Sequence, residues 1–304
     1  MFVARPPAGR SPCRDLYLTR AVRRSFTGPA EFLADPAHRA RVGEYLADMT
    51  RPFGCELSAE LFRDPLSPAL GQSYGEMAGA LIGPAVPAGE PVDLLILAFS
   101  VHDLRPGRQT AAYLSHLTPG APMAFAICDQ GAAAAFSGVR IARDYASSAG
   151  VRRALLLVVE QAALPYDCPA AMPAEHRAVA MLYGATPGGD GTAAQARVVG
   201  VRQHPGVRPA DVAALAAADL AELTAGRREV RLVLGDALAG EWSAPGSARV
   251  RMVPPGQPCT GTWWGLIDEL GAGPARPDLL LVADYDPCLG YLCWTSFDTG
   301  PRPG

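Results

Sequence analysis

Apolar positions along this chain alternate between two rhythms, one helical and one continuous. Ser73–Gly83 (SYGEMAGALIG) has helical spacing, Val92–Ser100 (VDLLILAFS) is an unbroken apolar run, and Arg108–Leu117 (RQTAAYLSHL) reads as a short helix. Pro122–Cys128 (PMAFAIC) reads as a strand, followed by a helix to about Ser148 and by strands over Arg152–Glu160 (RRALLLVVE) and His176–Ala185 (HRAVAMLYGA). A second series follows. Ala196–Arg202 reads as a strand, Pro209–Gly226 as a helix opened by Pro and closed by Gly, and Arg228–Ala237 (REVRLVLGDA) as a strand. Ser247–Pro255, Cys259–Gly271, Pro277–Asp286 and Tyr291–Asp298 read as strand, helix, strand and strand.

The two series echo each other: VDLLILAF with VRLVLGDA, PMAFAIC with ARVRMVP, and RRALLLVVE with PDLLLVAD. Continuous apolar strands between helices need cover on both faces, so the pattern predicts an α/β chain with two sheets in a layered sandwich. The halves are expected at residues 1–185 and 186–304. Their join, ATPGGDGTAAQ at 185–195, is Gly-rich and polar, and it lacks the Lys-Ser/Thr that a phosphate loop requires. It reads as a linker.

Composition narrows the function without naming it. A chain of 304 residues, 49% hydrophobic with mean hydropathy +0.10, can bury a large core. It contains no lysine, and its net charge of −3 gives no electrostatic footprint for nucleic acid or an anionic membrane. The N-terminus lacks the apolar core of a secretory signal and no run of about 18 apolar residues occurs, so a cytoplasmic location is expected. The seven cysteines (13, 55, 128, 168, 259, 288 and 293) are scattered without CxxC spacing, which argues against both a disulfide framework and a zinc site. GxSxG, HExxH, Walker and dinucleotide motifs are all missing from the sequence.

Three segments carry a family resemblance. VDLLILAFSVHDLRPGRQTAAYLSHL, GVRRALLLVVEQ and LLLVADYDPCLGYLCWTSFD have the order and spacing found around the active site of ketoacyl synthase III, and the chain from about Ser73 onward resembles that thiolase-fold family. The resemblance implies a five-layer α-β-α-β-α sandwich built from duplicated halves. It also implies a site in which a cysteine at a helix N-terminus takes the acyl group, while a histidine and an asparagine stabilise the enolate of malonyl decarboxylation. Matched by position, the cysteine falls on Gly131, or on Ala132 if the helix sets the register. The histidine falls on Asp236 and the asparagine on Gln257. Glycine cannot attack, and an aspartate would repel an enolate. DYDPCLGY carries bulk where the family has a glycine-rich oxyanion loop.

The resemblance therefore implies a scaffold with its condensing chemistry removed. Such a chain is expected to dimerise, with itself or with a Cys-containing synthase III-like partner, in fatty-acid-like or polyketide-like secondary metabolism. Acyl-CoA or acyl-carrier protein is the possible thioester substrate, carrier protein is a possible partner, and no cofactor or metal is expected. The alternative is a divergent acyltransferase or thioester-processing enzyme using Cys128, Cys259 or Asp236. Cys128 reads as packing at the end of a buried strand, whereas Cys259 at a helix start is better placed for a lowered pKa. His102, His116, His176 and His204 read as solvated or satisfied, and Asp284 with Asp286 as a chance pair at a strand end.

Overall fold

The computed structural model describes residues 15–54, 57, 62–67, 70–105, 109–166, 172–186, 196–227, 229–246, 249–272 and 277–299. Most of the expected linker, 187–195, lies outside them, as do Cys13, Cys55 and Cys168. Ten strands pair in the order β3-β2-β4-β5-β1-β6-β10-β9-β7-β8. The first half supplies β1 (Tyr17–Phe26), β2 (Leu94–Ala98), β3 (Met123–Ile127), β4 (Arg153–Glu160) and β5 (His176–Gly184). The second supplies β6 (Ala196–His204), β7 (Val230–Leu234), β8 (Arg249–Met252), β9 (Leu279–Asp286) and β10 (Tyr291–Asp298). Read outward from the centre, β1-β5-β4-β2-β3 mirrors β6-β10-β9-β7-β8. The echoed sequence pairs are thus β2 with β7, β3 with β8, and β4 with β9.

The halves are joined more closely than two separate sheets would be. At the centre Tyr17 pairs with Arg197 and Leu18 with Ala196, and the Val198 amide donates to the Leu16 carbonyl at 2.8 Å. This short antiparallel seam makes one continuous ten-stranded array.

Alternation along each strand sorts the helices into layers. On β2, Leu94, Ile96 and Ala98 share a core with α4 (Ala133–Ala149), while Leu95 and Leu97 share one with α2 (Tyr74–Ala85) and α3 (Thr110–Leu117). On β9, Leu280 and Val282 face the central core, whereas Leu279, Leu281 and Ala283 pack with α5 (Pro209–Leu223) and α6 (Asp236–Glu241). Helix α4 and α7 (Gly261–Gly271) form the middle layer, in contact through Phe136 and Trp263, whose rings lie 4.9 Å apart. The result is the five-layer α-β-α-β-α sandwich. Ala132 to Ala135 are all buried, and Gly138 lies so close to Leu156 that an added Cβ would sit 2.6 Å from its Cδ1. Small side chains let α4 settle between the two halves of the array.

Two elements depart from the pattern. The strand expected over Arg228–Ala237 stops at Leu234, because Gly235 becomes the N-cap of α6 and Asp236 its first residue. Near the N-terminus, β1 and α1 (Pro36–Thr50) have no counterpart in the periodicity reading, yet β1 lies at the centre of the array. Its arginines conceal it: Arg23 donates to the Trp264 carbonyl at 2.7 Å and pairs with Asp268 at 2.6 Å, and its guanidinium stacks on the Trp264 ring.

Candidate functional site

The end of β9 and the turn after it, the turn entering α4, the start of α6 and the segment leading into α7 converge on a cavity of about 450 Å³. Gly131, Asp236, Gln257 and Cys259 all line it. Three positions far apart in sequence, Gly131, Asp236 and Gln257, therefore line one cavity. Cys128 does not line it. That thiol packs toward the opposite face of β3, with the α2 and α3 core, and burial pushes its pKa up.

A carboxylate lines the cavity beside the start of α4. The turn entering α4 holds two residues in left-handed conformation, Asp129 at φ 58° and Gly131 at φ 49°, so the chain can reverse and start the helix at once. Where a side chain at Gly131 would project stands Asp286, so close that an added Cβ would overlap Oδ2 and lie 2.8 Å from Cγ. Asp286 Oδ2 accepts from the Ala132 amide at 3.0 Å, and Oδ1 accepts from the amides of Cys288 and Leu289, each at 3.0 Å. The negative charge thus rests on the N-terminus of α4, where a nucleophile's thiolate would otherwise be stabilised.

Asp284, two residues earlier on the same strand, lies beneath Gly235, where an added Cβ would collide with its carboxyl group. It is 6% exposed, and Oδ1 accepts from the Tyr285 amide at 2.8 Å. Burial, with the charges of Asp286, Asp236 and Glu160 adding to it, pushes Asp284 up to about 8. Glu160 ends β4 behind the cavity and caps α7: it accepts from the amides of Cys259 at 2.9 Å and Thr260 at 3.0 Å and from the Thr260 hydroxyl. Burial outweighs these bonds and pushes it up to about 7.

Cys259 reaches the cavity but is a poor nucleophile. Burial, then the charges of Glu160, Asp286 and Asp284, push its thiol well above its ordinary value, and Sγ lies 3.6 Å from the Gly131 carbonyl. Gln257 is buried, its Nε2 donating to the Glu175 carbonyl at 3.4 Å. No histidine lines the cavity among the described residues: His176 Nδ1 accepts from the Ala162 amide, His204 bonds Asp219 at 2.7 Å, and His102 packs edge-on to Phe99. The acids dismissed as a chance pair, Asp284 and Asp286, are the ones that shape the site. Their i, i+2 spacing at the end of an apolar strand was the available signal, since it places both on one face.

No family model matches this sequence, and no curated protein does. Solved structures do match. ChlB3, described as an acyltransferase, superposes with a TM-score of 0.57 at 17% identity over 94% of this chain and 98% of its own. The 3-oxoacyl-[acyl-carrier-protein] synthase III from Aquifex aeolicus VF5 gives 0.56 at 15% identity over 95% and 100%. The chain has the thiolase fold. AbyA1, a tetronic acid condensing enzyme, adds 0.55 at 15% over 74% and 84%. At these identities the thiolase-fold likeness concerns architecture, and the chemistry rests on the cavity's own residues.

Proposed function

We propose that this chain is a ketoacyl synthase III-like subunit that performs no condensation and works paired, either with a second copy or with a Cys-containing relative that carries the acyl group. The supporting observation is Asp286: its carboxylate fills the space of the missing nucleophile and satisfies the α4 amide that would activate one. Asp236 fits the same reading, because a carboxylate offers no neutral donor where a histidine would stand in an enolate hole, and the Gln257 amide donates to the Glu175 carbonyl. Pairing draws support from β3, an edge strand whose Met123, Ala124 and Phe125 are half-buried and whose Ala126 is exposed. In this role the fold would shape the partner's acyl tunnel in fatty-acid-like or polyketide-like metabolism, meeting carrier protein only in the complex.

Intact-mass spectrometry after incubation with acyl-CoA or acyl-carrier protein tests the reading. No acyl mass should appear on this chain, and after co-expression with a Cys-containing relative only that relative should gain it. Stoichiometric acylation of this chain, abolished by Cys259→Ala or Cys128→Ala, would replace the proposal with the divergent acyltransferase. The open cavity keeps that second reading in play, since a thioester could still enter it.

A further inference from the structure

We propose that a second cavity, between α1, α3 and the edge strand β3, binds an organic carboxylate carried on an aromatic body, with the Arg105 guanidinium taking the carboxylate. This cavity of about 450 Å³ shares no lining residue with the one beside Gly131. The segment after β2 divides them: Ser100 lines the first cavity, whereas Phe99 and His102 line the second. Its volume suits a small organic molecule.

Arg105 lines the cavity half-buried, its guanidinium 4.8 Å from the centroid of the Phe32 ring. The ring holds the planar group from one face and leaves its in-plane N–H donors available. Among the described residues no carboxylate pairs with those donors and no acceptor bonds them. The cavity's own acid is committed elsewhere: Asp103 Oδ1 accepts from the Tyr74 amide at 3.0 Å and Oδ2 from the Thr110 hydroxyl at 2.7 Å, which ties the segment after β2 to the starts of α2 and α3. A guanidinium fork without an acid matches the two coplanar oxygens of a carboxylate, and the amide of Gln109 and the hydroxyl of Tyr45 on the rim add neutral donors.

The walls decide what the carboxylate is attached to. Phe99, Phe125 and Tyr45 give aromatic surface on three sides, and Met49 supplies a polarisable thioether between them. A flat ring system can meet such walls in offset or edge-on contact, whereas an inorganic anion would leave them unused. Charge also sorts ligands between the two cavities. Aspartates 129, 236, 284 and 286 line the one beside Gly131 and disfavour an anion there, while the first turn of α3 lines this one and adds the positive end of its dipole to the charge of Arg105.

Calorimetric titration of the full chain with 2-naphthoate, 2-naphthalenemethanol, 2-naphthylmethylammonium and inorganic phosphate is the test. The naphthoate should bind at least about tenfold more tightly than the other three. Arg105→Gln should reduce it to the level of the alcohol, and Arg105→Lys, which keeps the charge and loses the fork, should fall between. Ala112→Trp, at an exposed position on the rim, should block the naphthoate while circular dichroism shows the fold intact. No naphthoate binding up to millimolar concentration, alcohol, amine or phosphate binding as tightly as the naphthoate, or unchanged naphthoate affinity in folded Arg105→Gln or Ala112→Trp, would overturn the proposal. If Arg105→Gln fails to fold, Arg105→Lys and Ala112→Trp decide it. The site does not depend on the paired-subunit reading: acylation of the chain would defeat that reading and leave the carboxylate site standing, and absent naphthoate binding would do the reverse.

Discussion

Helices α4 and α7 occupy equivalent places in the two halves, and each has its N-terminus capped by a carboxylate from the fourth strand of the other half. Glu160 at the end of β4 crosses to α7, and Asp286 at the end of β9 crosses to α4. The exchange is reciprocal, but the environments are not. Glu160 is 3% exposed and among the described residues bonds only Cys259 and Thr260 at the entry to α7, whereas Asp286 stands at the cavity wall and also holds its own turn through Cys288 and Leu289. A closed cap is a structural device. An open one leaves a carboxylate at the mouth of a cavity, bonded to the helix terminus on one side and to its own turn on the other.

The harshest way to break this comparison is to put a side chain back at Gly131. Gly131→Cys meets Asp286 and a left-handed backbone together, and should destabilise the chain by about 3 kcal/mol or more in denaturant titration, with no malonyl-dependent product. Adding Asp286→Gly should recover part of that loss by removing the collision. Full stability in the single variant would mean that Asp286 does not occupy the slot.

Removing the caps separately should rank them. Glu160→Ala leaves buried amides at the start of α7 unpaired and should cost about 2 to 3 kcal/mol. Asp286→Ala should cost only about 1 kcal/mol, because water in the cavity can replace the carboxylate. Equal losses would erase the distinction between closed and open.

Acidity should report the same contrast. Glu160 and Asp284 hold their protons to about 7 and about 8 in the folded chain, against about 4 when unfolded, so the folded state binds more protons between those limits. Their contribution to stability is full at acid pH and is lost as pH rises through about 7 and about 8. The melting temperature should therefore fall by several degrees from pH 5 to pH 9, and Asp284→Asn should flatten part of the fall. The smallest effect concerns thiol reactivity: at pH 7.5 iodoacetamide should modify exposed Cys288 well before buried Cys259, with the order read by peptide mass mapping.

Most of the fold was legible because its strands are buried on both faces and read as unbroken apolar runs. Leu94–Ala98, Leu155–Val159 and Leu279–Ala283 could be placed, and matched across the halves, without coordinates. Strand β1 was not legible, since half its length is made compatible with burial by partners remote in sequence: Asp268, the Trp264 ring and carbonyl, and the strands on either side. Strand β7 was read too long, because a glycine N-cap looks apolar in a periodicity scan.

The sequence by itself determined which residues, Gly131, Asp236 and Gln257, a resemblance to ketoacyl synthase III sets against that family's cysteine, histidine and asparagine. Only the tertiary structure decided what stands beside them. Asp286 lies 155 residues beyond Gly131, and nothing local distinguishes it from any other acid at a strand end. Its role arises from the pairing of β9 with β7 and β10, which fixes where the strand ends, and from the central packing of α4, which brings that helix's N-terminus to the same point. Charge, burial and proton affinity at the site are properties of that meeting, because desolvation and Coulomb coupling depend on distances across the fold and not along the chain.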